Sequence, residues 1–231
     1  MNILKFIVVF CRLLFLLVFT LISAASYSNQ QHLNNEQEFL ISLLQDDKFI
    51  GNINAPIIMV EYASLSCYHC SLFHKNVFPK LKELYIDTGK MLYIFRHFPL
   101  DYLALKAAML SHCYEKQEDY FAFNKAVFYS IDLWNYNASD LTILENITKV
   151  SNMSKLTFNQ CIDNEKNMNK IIEIKSIAIE KLSVSATPVF FIKHNTKQGH
   201  NKDKNIKHEG YHKIEYFIKI IDNLYKKATI K

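Results

Sequence analysis

The chain has 231 residues, half of them hydrophobic and 21% charged, which excludes a disordered or collagen-like polypeptide and suits one ordinary domain carrying an insertion. Only four glycines and four prolines are present, too few for a turn-rich all-β sandwich or barrel. The net charge is +5; without Lys5 and Arg12, which fall in a segment expected to be removed, 25 basic residues face 22 acidic ones, or +3, too mild a balance to imply nucleic-acid binding.

Residues 1–25 have the layout of an export signal. Lys5 precedes an apolar run from Phe6 to Ile22, broken by Cys11, Arg12 and Thr20, and Ser23-Ala24-Ala25 supplies small residues for cleavage after Ala25. The alternative is an uncleaved membrane anchor, but the run is near the lower length limit for spanning and Arg12 interrupts it. Removal of this segment leaves four of the five cysteines, Cys67, Cys70, Cys113 and Cys161, in a compartment that permits disulfides. Cys113 and Cys161 are expected to form a structural disulfide, with two buried free thiols as the alternative. Triplets at Asn137, Asn146 and Asn152 match the glycosylation pattern, as chance allows in a chain this rich in asparagine.

Residues 34–49 read as a helix with Phe39, Leu40, Leu43 and Leu44 on one face. Gly51 to Pro56 is a turn. Ile57 to Ala63 is a continuous β-prone run, as in a buried strand. A helix is expected from about Cys67 to Asp87, kinked at Pro79, with Gly89 just past its end. Met91 to Phe98 reads as a second buried strand stopped by Pro99. From about Tyr102 to Leu182 apolar residues recur at helical spacing, among them Leu103, Ala107, Leu110, Leu141, Leu144, Ile147, Ile171, Ile174, Ile177 and Ala178, and no strand signal intervenes. Val189 to Ile192 is a third strand. A polar loop over 194–205 leads to a short edge strand at Ile206 to Glu209. After Gly210 comes a final helix with Ile214, Phe217, Ile218, Ile221 and Leu224 inward. The order predicts an α/β unit interrupted by an all-helical insertion. Its parts are 26–101, the insertion 102–183, and 184–231; neither outer part alone could cover its strands.

The chemistry is placed at Cys67-Tyr68-His69-Cys70. This C-x-x-C directly follows a strand and opens a helix. Residues three apart on a helix lie about 5–6 Å apart at Cβ, a separation that small adjustments close to a disulfide. The helix N-terminus offers free N–H groups and positive potential to Cys67, favouring its thiolate, which is the nucleophile and the better leaving group. Protonated His69 would add to this. Cys70 lies deeper and is the natural resolving thiol. A structural zinc site would need two further ligands, and His112-Cys113 with Cys161 lack the usual second C-x-x-C. A purely structural disulfide is the other bland reading.

Gly51-Asn52-Ile53-Asn54-Ala55-Pro56, Glu61-Tyr62, Cys67-Tyr68-His69-Cys70, Arg96-His97-Phe98-Pro99-Leu100 and Ala186-Thr187-Pro188-Val189 together resemble the DsbA family of exported thiol:disulfide oxidoreductases, in its alphaproteobacterial branch, over nearly all of the chain after residue 25. The resemblance implies a thioredoxin fold with an inserted helical domain. By position, Pro188 matches the family's cis-proline facing the cysteines. Thr187 would pair its backbone with a bound substrate, and Tyr68 would border that substrate. Glu61 matches the buried acid that handles the buried cysteine's proton. A trans turn proline, a turn threonine and a salt-bridged strand-end glutamate are the plain alternatives. The inner dipeptide Tyr68-His69 departs from the Pro-His of many oxidases in the family. The implied activity is thiol oxidation of unfolded, cysteine-containing exported proteins in the periplasm by a monomer. No cofactor or metal is implied, and a membrane redox partner would reoxidise the pair. A disulfide isomerase or reductase of the same fold is the alternative, and a redox-inactive zinc or binding module a more distant one.

Overall fold

The computed structural model describes residues 39–134, 140–151, 153–195 and 207–229, together with residues 19, 26, 27, 36 and 37. The expected signal segment and cleavage site lie outside these residues, apart from the helical Phe19, as do Asn137, Asn152 and most of the loop over 194–205. Residues 1–40 and 41–231 form separate compact units. No helix among the described residues is long and apolar enough to cross a membrane.

The second unit is built on a five-stranded sheet in the order β1-β3-β2-β4-β5. Its strands are β1 (Lys48–Ile50), β2 (Ile57–Ala63), β3 (Met91–His97), β4 (Val189–His194) and β5 (Lys207–Glu209). The central pair β2 and β3 runs parallel, with Glu61 opposite Phe95, and β4 lies antiparallel to β2. Every residue of β2 and β3 is buried, which explains their uninterrupted apolar runs: both faces of the strands are covered. Helices α1 (Tyr68–Asn76) and α2 (Phe78–Leu81) join β2 to β3, followed by a π-helical turn over Lys82–Ile86. Between β3 and β4 stand α3 (Tyr102–Ser111), α4 (Gln117–Tyr129), α5 (Thr142–Val150), α6 (Lys155–Ile162) and α7 (Glu165–Leu182). The chain closes with α8 (Ile214–Thr229) after β5. Phe73 of α1 joins α8 to the sheet, its ring centroid 4.6 Å from Phe190 and 5.4 Å from Phe217.

Two expectations are corrected. The helix predicted over 34–49 does not reach residue 49. Residues 41–47 bend and turn, and Lys48–Ile50 pairs antiparallel with β3 as an edge strand. The cause is a buried cluster that captures the segment. Arg96 donates to both Asp47 carboxylate oxygens at 2.9 and 2.7 Å, to Tyr62 Oη at 2.8 Å and to the Ser42 carbonyl at 2.7 Å. Tertiary hydrogen bonds of this kind override local helical periodicity. The second correction concerns the long helix after Cys67. It breaks at Val77, two residues before Pro79, because proline cannot donate to the carbonyl four residues back and its ring crowds it. Pro79 then sits in the first turn of α2, where its missing N–H costs nothing.

Gly51 closes the turn from β1 toward β2 at φ +109°, a conformation open to glycine; a Cβ there would stand 2.8 Å from the Met91 carbonyl oxygen.

Candidate redox site

The loop between β2 and α1 is held by hydroxyls. Ser64 Oγ and Ser66 Oγ lie 3.0 Å apart, Ser66 Oγ donates to Asp101 Oδ2 at 2.5 Å, and Leu100 N donates back to Ser64 Oγ. Cys67 N donates to the Ser64 carbonyl at 3.0 Å, which turns the chain into α1. Cys67 is the N-cap residue of that helix, in an extended conformation, and its side chain makes no capping hydrogen bond. Its sulfur therefore stands at the positive end of the helix. Ser71 Oγ fastens the first turn from below, donating to the Phe128 carbonyl of α4 at 2.7 Å.

Cys67 and Cys70 are free thiols in contrasting surroundings, Cys67 half-buried and Cys70 with no exposure. The Cys67 pKa is lowered to about 6, first by the hydrogen bond from the Cys70 thiol; burial opposes, and the Thr187 side chain with the backbone N–H groups of Cys70 and His69 assists. Burial pushes the Cys70 thiol well above its ordinary value, and the neighbouring Cys67 and Glu61 charges push the same way. The two sulfurs thus differ in acidity, Cys67 favoured as the thiolate and Cys70 as the thiol.

The predicted residues fall in three places. His69 and Tyr68 are exposed on the first turn of α1, Tyr68 at 54%, with ring centroids 6.0 Å apart. His69 reaches the Cys67 sulfur through its backbone N–H rather than its ring. Thr187 and Pro188 lie across from Cys67, whose thiol donates to the Thr187 carbonyl at 3.4 Å. Their peptide bond is cis. Thr187 Oγ1 is buried with no partner beside the Cys67 thiol, so this hydroxyl is the donor available to a thiolate. Glu61 lies below α1 at zero exposure. Its Oε2 accepts from Tyr93 Oη and stands 3.1 Å from His74 Nε2, while Oε1 has no partner. Cys113 and Cys161 are away from this centre, joined in a disulfide that links the end of α3 to α6. His112, beside that disulfide, has its ring 5.3 Å from His97, and burial drives both imidazoles toward the neutral form. Among the described residues no three His, Cys, Asp or Glu side chains converge as metal ligands would.

Sequence reasoning missed Tyr93 and His74, which complete the Glu61 environment. Tyr93 reads as one more apolar strand residue, and only the parallel register, placing Tyr93 opposite Met59, brings its hydroxyl near Glu61. His74 carried one faint signal: it is four residues after Cys70 and so shares its face of α1.

A family model described as Thioredoxin matches residues 43–211. The solved structure of Wolbachia pipientis alpha-DsbA1 is 62% identical, with a TM-score of 0.81 over 84% of this chain and 98% of that one. The chain belongs to the DsbA family of thioredoxin-fold proteins. Its likeness to an alphaproteobacterial member agrees with the branch to which its motifs point. The family's alpha-DsbA2 from Wolbachia pipientis is 26% identical, with a TM-score of 0.60 over 83% of this chain and 97% of that one. A Rickettsia typhi protein named as a protein-disulfide oxidoreductase is 30% identical over 147 residues, 64% of this chain and 54% of that protein. The chain thus spans about half the length of the curated relatives it matches.

Proposed function

We propose that the protein is an exported dithiol oxidase that introduces disulfides into unfolded, cysteine-containing exported proteins. The observation that carries this reading is the stabilised Cys67 thiolate, with a pKa of about 6, beside a sealed Cys70. A dithiol whose reduced form is stabilised gives up its disulfide readily and is a strong oxidant. A substrate thiolate attacks Cys67 Sγ of the Cys67–Cys70 disulfide, and Cys70 departs as a thiolate that takes a proton from Glu61. A second substrate thiolate attacks the substrate sulfur of the mixed disulfide and expels Cys67 as its stable thiolate. The substrate leaves oxidised and the protein reduced by two electrons. An extended substrate segment lies along the Thr187 backbone in the manner of strand addition, with Tyr68 at its border. A membrane partner returns the pair to the disulfide. Every group in this scheme comes from one chain, so a monomer suffices.

Cys67→Ser and Cys70→Ser proteins test the assignment. Cys67→Ser should abolish oxidation of a reduced dithiol peptide. Cys70→Ser should accumulate mixed disulfides on Cys67, visible by mass spectrometry after acid quench. Equal trapping by both variants refutes the division of labour. Faster rearrangement of scrambled disulfides than oxidation of reduced ones refutes the oxidase reading in favour of an isomerase.

A further inference from the structure

Cys67 follows the end of β2, a strand with neighbours on both sides. Val189 of β4 pairs with Tyr62, which puts Thr187 and Pro188 on one side of the cysteine. His97 of β3 pairs with Ala63, which puts the segment after β3 on the other. That segment, Phe98 to Leu103, is divided in character. Phe98, Pro99 and Leu103 are buried, while Leu100 and Tyr102 are 50% and 48% exposed. Its backbone is tied to the loop before Cys67. Phe98 N donates to the Ala63 carbonyl at 2.8 Å, and Leu100 N donates to Ser64 Oγ at 3.3 Å. Asp101 accepts from Ser66 Oγ through Oδ2 and from Ala104 N through Oδ1, so its charge is held at the N-terminus of α3. Lys175 Nζ of α7 donates to the Pro99 carbonyl at 2.7 Å, and Lys106 Nζ of α3 lies 5.3 Å from the Tyr102 ring centroid. Single exposed apolar side chains are ordinary on a protein surface. Here two large ones are carried by a segment bonded directly to the loop that presents a reactive sulfur.

We propose that Leu100 and Tyr102 form an apolar subsite for the substrate on the β3 side of Cys67, selecting unfolded segments with a large aliphatic or aromatic side chain about two residues from the reacting cysteine. This deepens the oxidase reading and rests on it. The occupant follows from continuity with the cleft. A segment joined to Cys67 through its own sulfur lies between the Thr187 backbone on one side and residues 100–102 on the other. The ends of β2 and β3 stand one strand spacing apart, about 4.8 Å, and an extended chain advances about 3.3 Å per residue. Two residues therefore cover the distance. In an extended chain the side chain two residues from the cysteine also points to the same face as the cysteine, toward the protein. Contact with Leu100 and Tyr102 removes apolar surface of both partners from water. The segment is fixed before substrate arrives, so little ordering opposes that gain. Large apolar side chains are exposed in an unfolded chain and mostly buried in a folded one, so the subsite favours substrates that have not yet folded.

A leucine and a tyrosine left on the surface without a role would be indifferent to the residues that flank a substrate cysteine, so the test reads discrimination and not activity alone. Oxidised wild-type protein is mixed with either of two unstructured dithiol peptides. They are identical except for Phe or Ser at the positions two residues before and after one cysteine. Acid quench and mass spectrometry give the rate constant for oxidation of each. The ratio is corrected by the same ratio measured with oxidised glutathione, which removes any difference in the peptides' own reactivity. An apolar contact in a closed pocket is worth about 10–200-fold, so on an open shelf the Phe peptide should be favoured by about fivefold or more. The ratio should fall to about one in a Leu100→Ser/Tyr102→Ser protein, with the half-maximal pH of Cys67 labelling kept.

A wild-type ratio of about one overturns the subsite, and so does a fivefold ratio kept by the double variant. A ratio lost together with a shifted labelling pH assigns the effect to the sulfur and overturns it too. The Leu100 methyl signals of labelled Cys70→Ser protein give a check with both residues in place. In the mixed disulfide with the Phe peptide they should move relative to the mixed disulfide with the Ser peptide, and identical signals overturn the proposal. A wild-type protein that oxidises neither peptide removes the oxidase reading itself. One that oxidises both without discrimination removes only this inference.

Discussion

The Cys67 sulfur ionises near pH 6 because the donors aimed at it outweigh the cost of its partial burial. A thiol is an acid, so a depressed folded-state pKa makes the stability of the reduced fold rise with pH wherever the unfolded chain still binds the proton that the folded chain has lost. That contribution is fully present above the ordinary thiol pKa of about 8.5 and is lost as pH falls through about 6. The reduced protein is therefore expected to gain thermal stability between about pH 6 and 8.5, and a Cys67→Ser protein to lose that slope. Iodoacetamide labelling of Cys67 should be half-maximal near pH 6, and half-maximal labelling above pH 8 would refute it. These two cysteines were legible in the sequence because C-x-x-C at a strand-to-helix junction has few other uses. Glu61 was legible only through family resemblance. Tyr93 and His74 were not, since a tyrosine in an apolar run and a lone histidine on a helix acquire their roles from residues distant in sequence.

At the scale of elements, the continuous apolar runs over Ile57–Ala63, Met91–His97 and Val189–His194 announced the three longest strands, because sheets covered on both faces leave no alternation to read. The edge strand β1 escaped detection. Three residues, Lys48–Ile50, carry too little pattern, and the helical spacing of Phe39, Leu40, Leu43 and Leu44 ran toward them. What settles that segment is the buried ion pair of Arg96 and Asp47, at 3% and 6% side-chain exposure. Removing one partner of such a pair strands the other charge at a cost of about 3–5 kcal/mol. Asp47→Ala is expected to lower unfolding stability by that order in denaturant titration and to speed amide exchange in Lys48–Ile50. Asp47→Asn should cost less because it keeps the acceptor oxygen. A change under about 1 kcal/mol for Asp47→Ala would show that the place of Arg96 does not depend on Asp47.

Over the whole molecule the Cys113–Cys161 disulfide closes a loop of 48 residues spanning α4, α5 and much of α6. On the chain-entropy account such a loop restricts the unfolded chain by about 4 kcal/mol. A Cys113→Ala/Cys161→Ala protein should unfold at lower denaturant concentration by that order, with Cys67 labelling unchanged in its pH dependence. A shifted labelling profile would mean that the distant pair tunes the redox centre. The helical stretch between β3 and β4 was legible from its apolar spacing, but its pairing with the redox centre was not.

That pairing bears on how such a chain can be divided. Helix α4 supplies the Phe128 carbonyl that anchors Ser71, the Phe128 ring that stacks on His74, and Gln117, whose side-chain oxygen accepts from the Phe49 backbone at 2.8 Å. The inserted helices form the rear wall of the dithiol chamber and are not a cap placed over a finished one. Modularity in sequence therefore does not carry over to modularity in function. A miniaturised redox protein made by splicing out residues 102–183 and rejoining the sheet would keep its cysteine motif and lose the wall behind it, flooding Cys70 with solvent and abolishing the contrast between the two sulfurs.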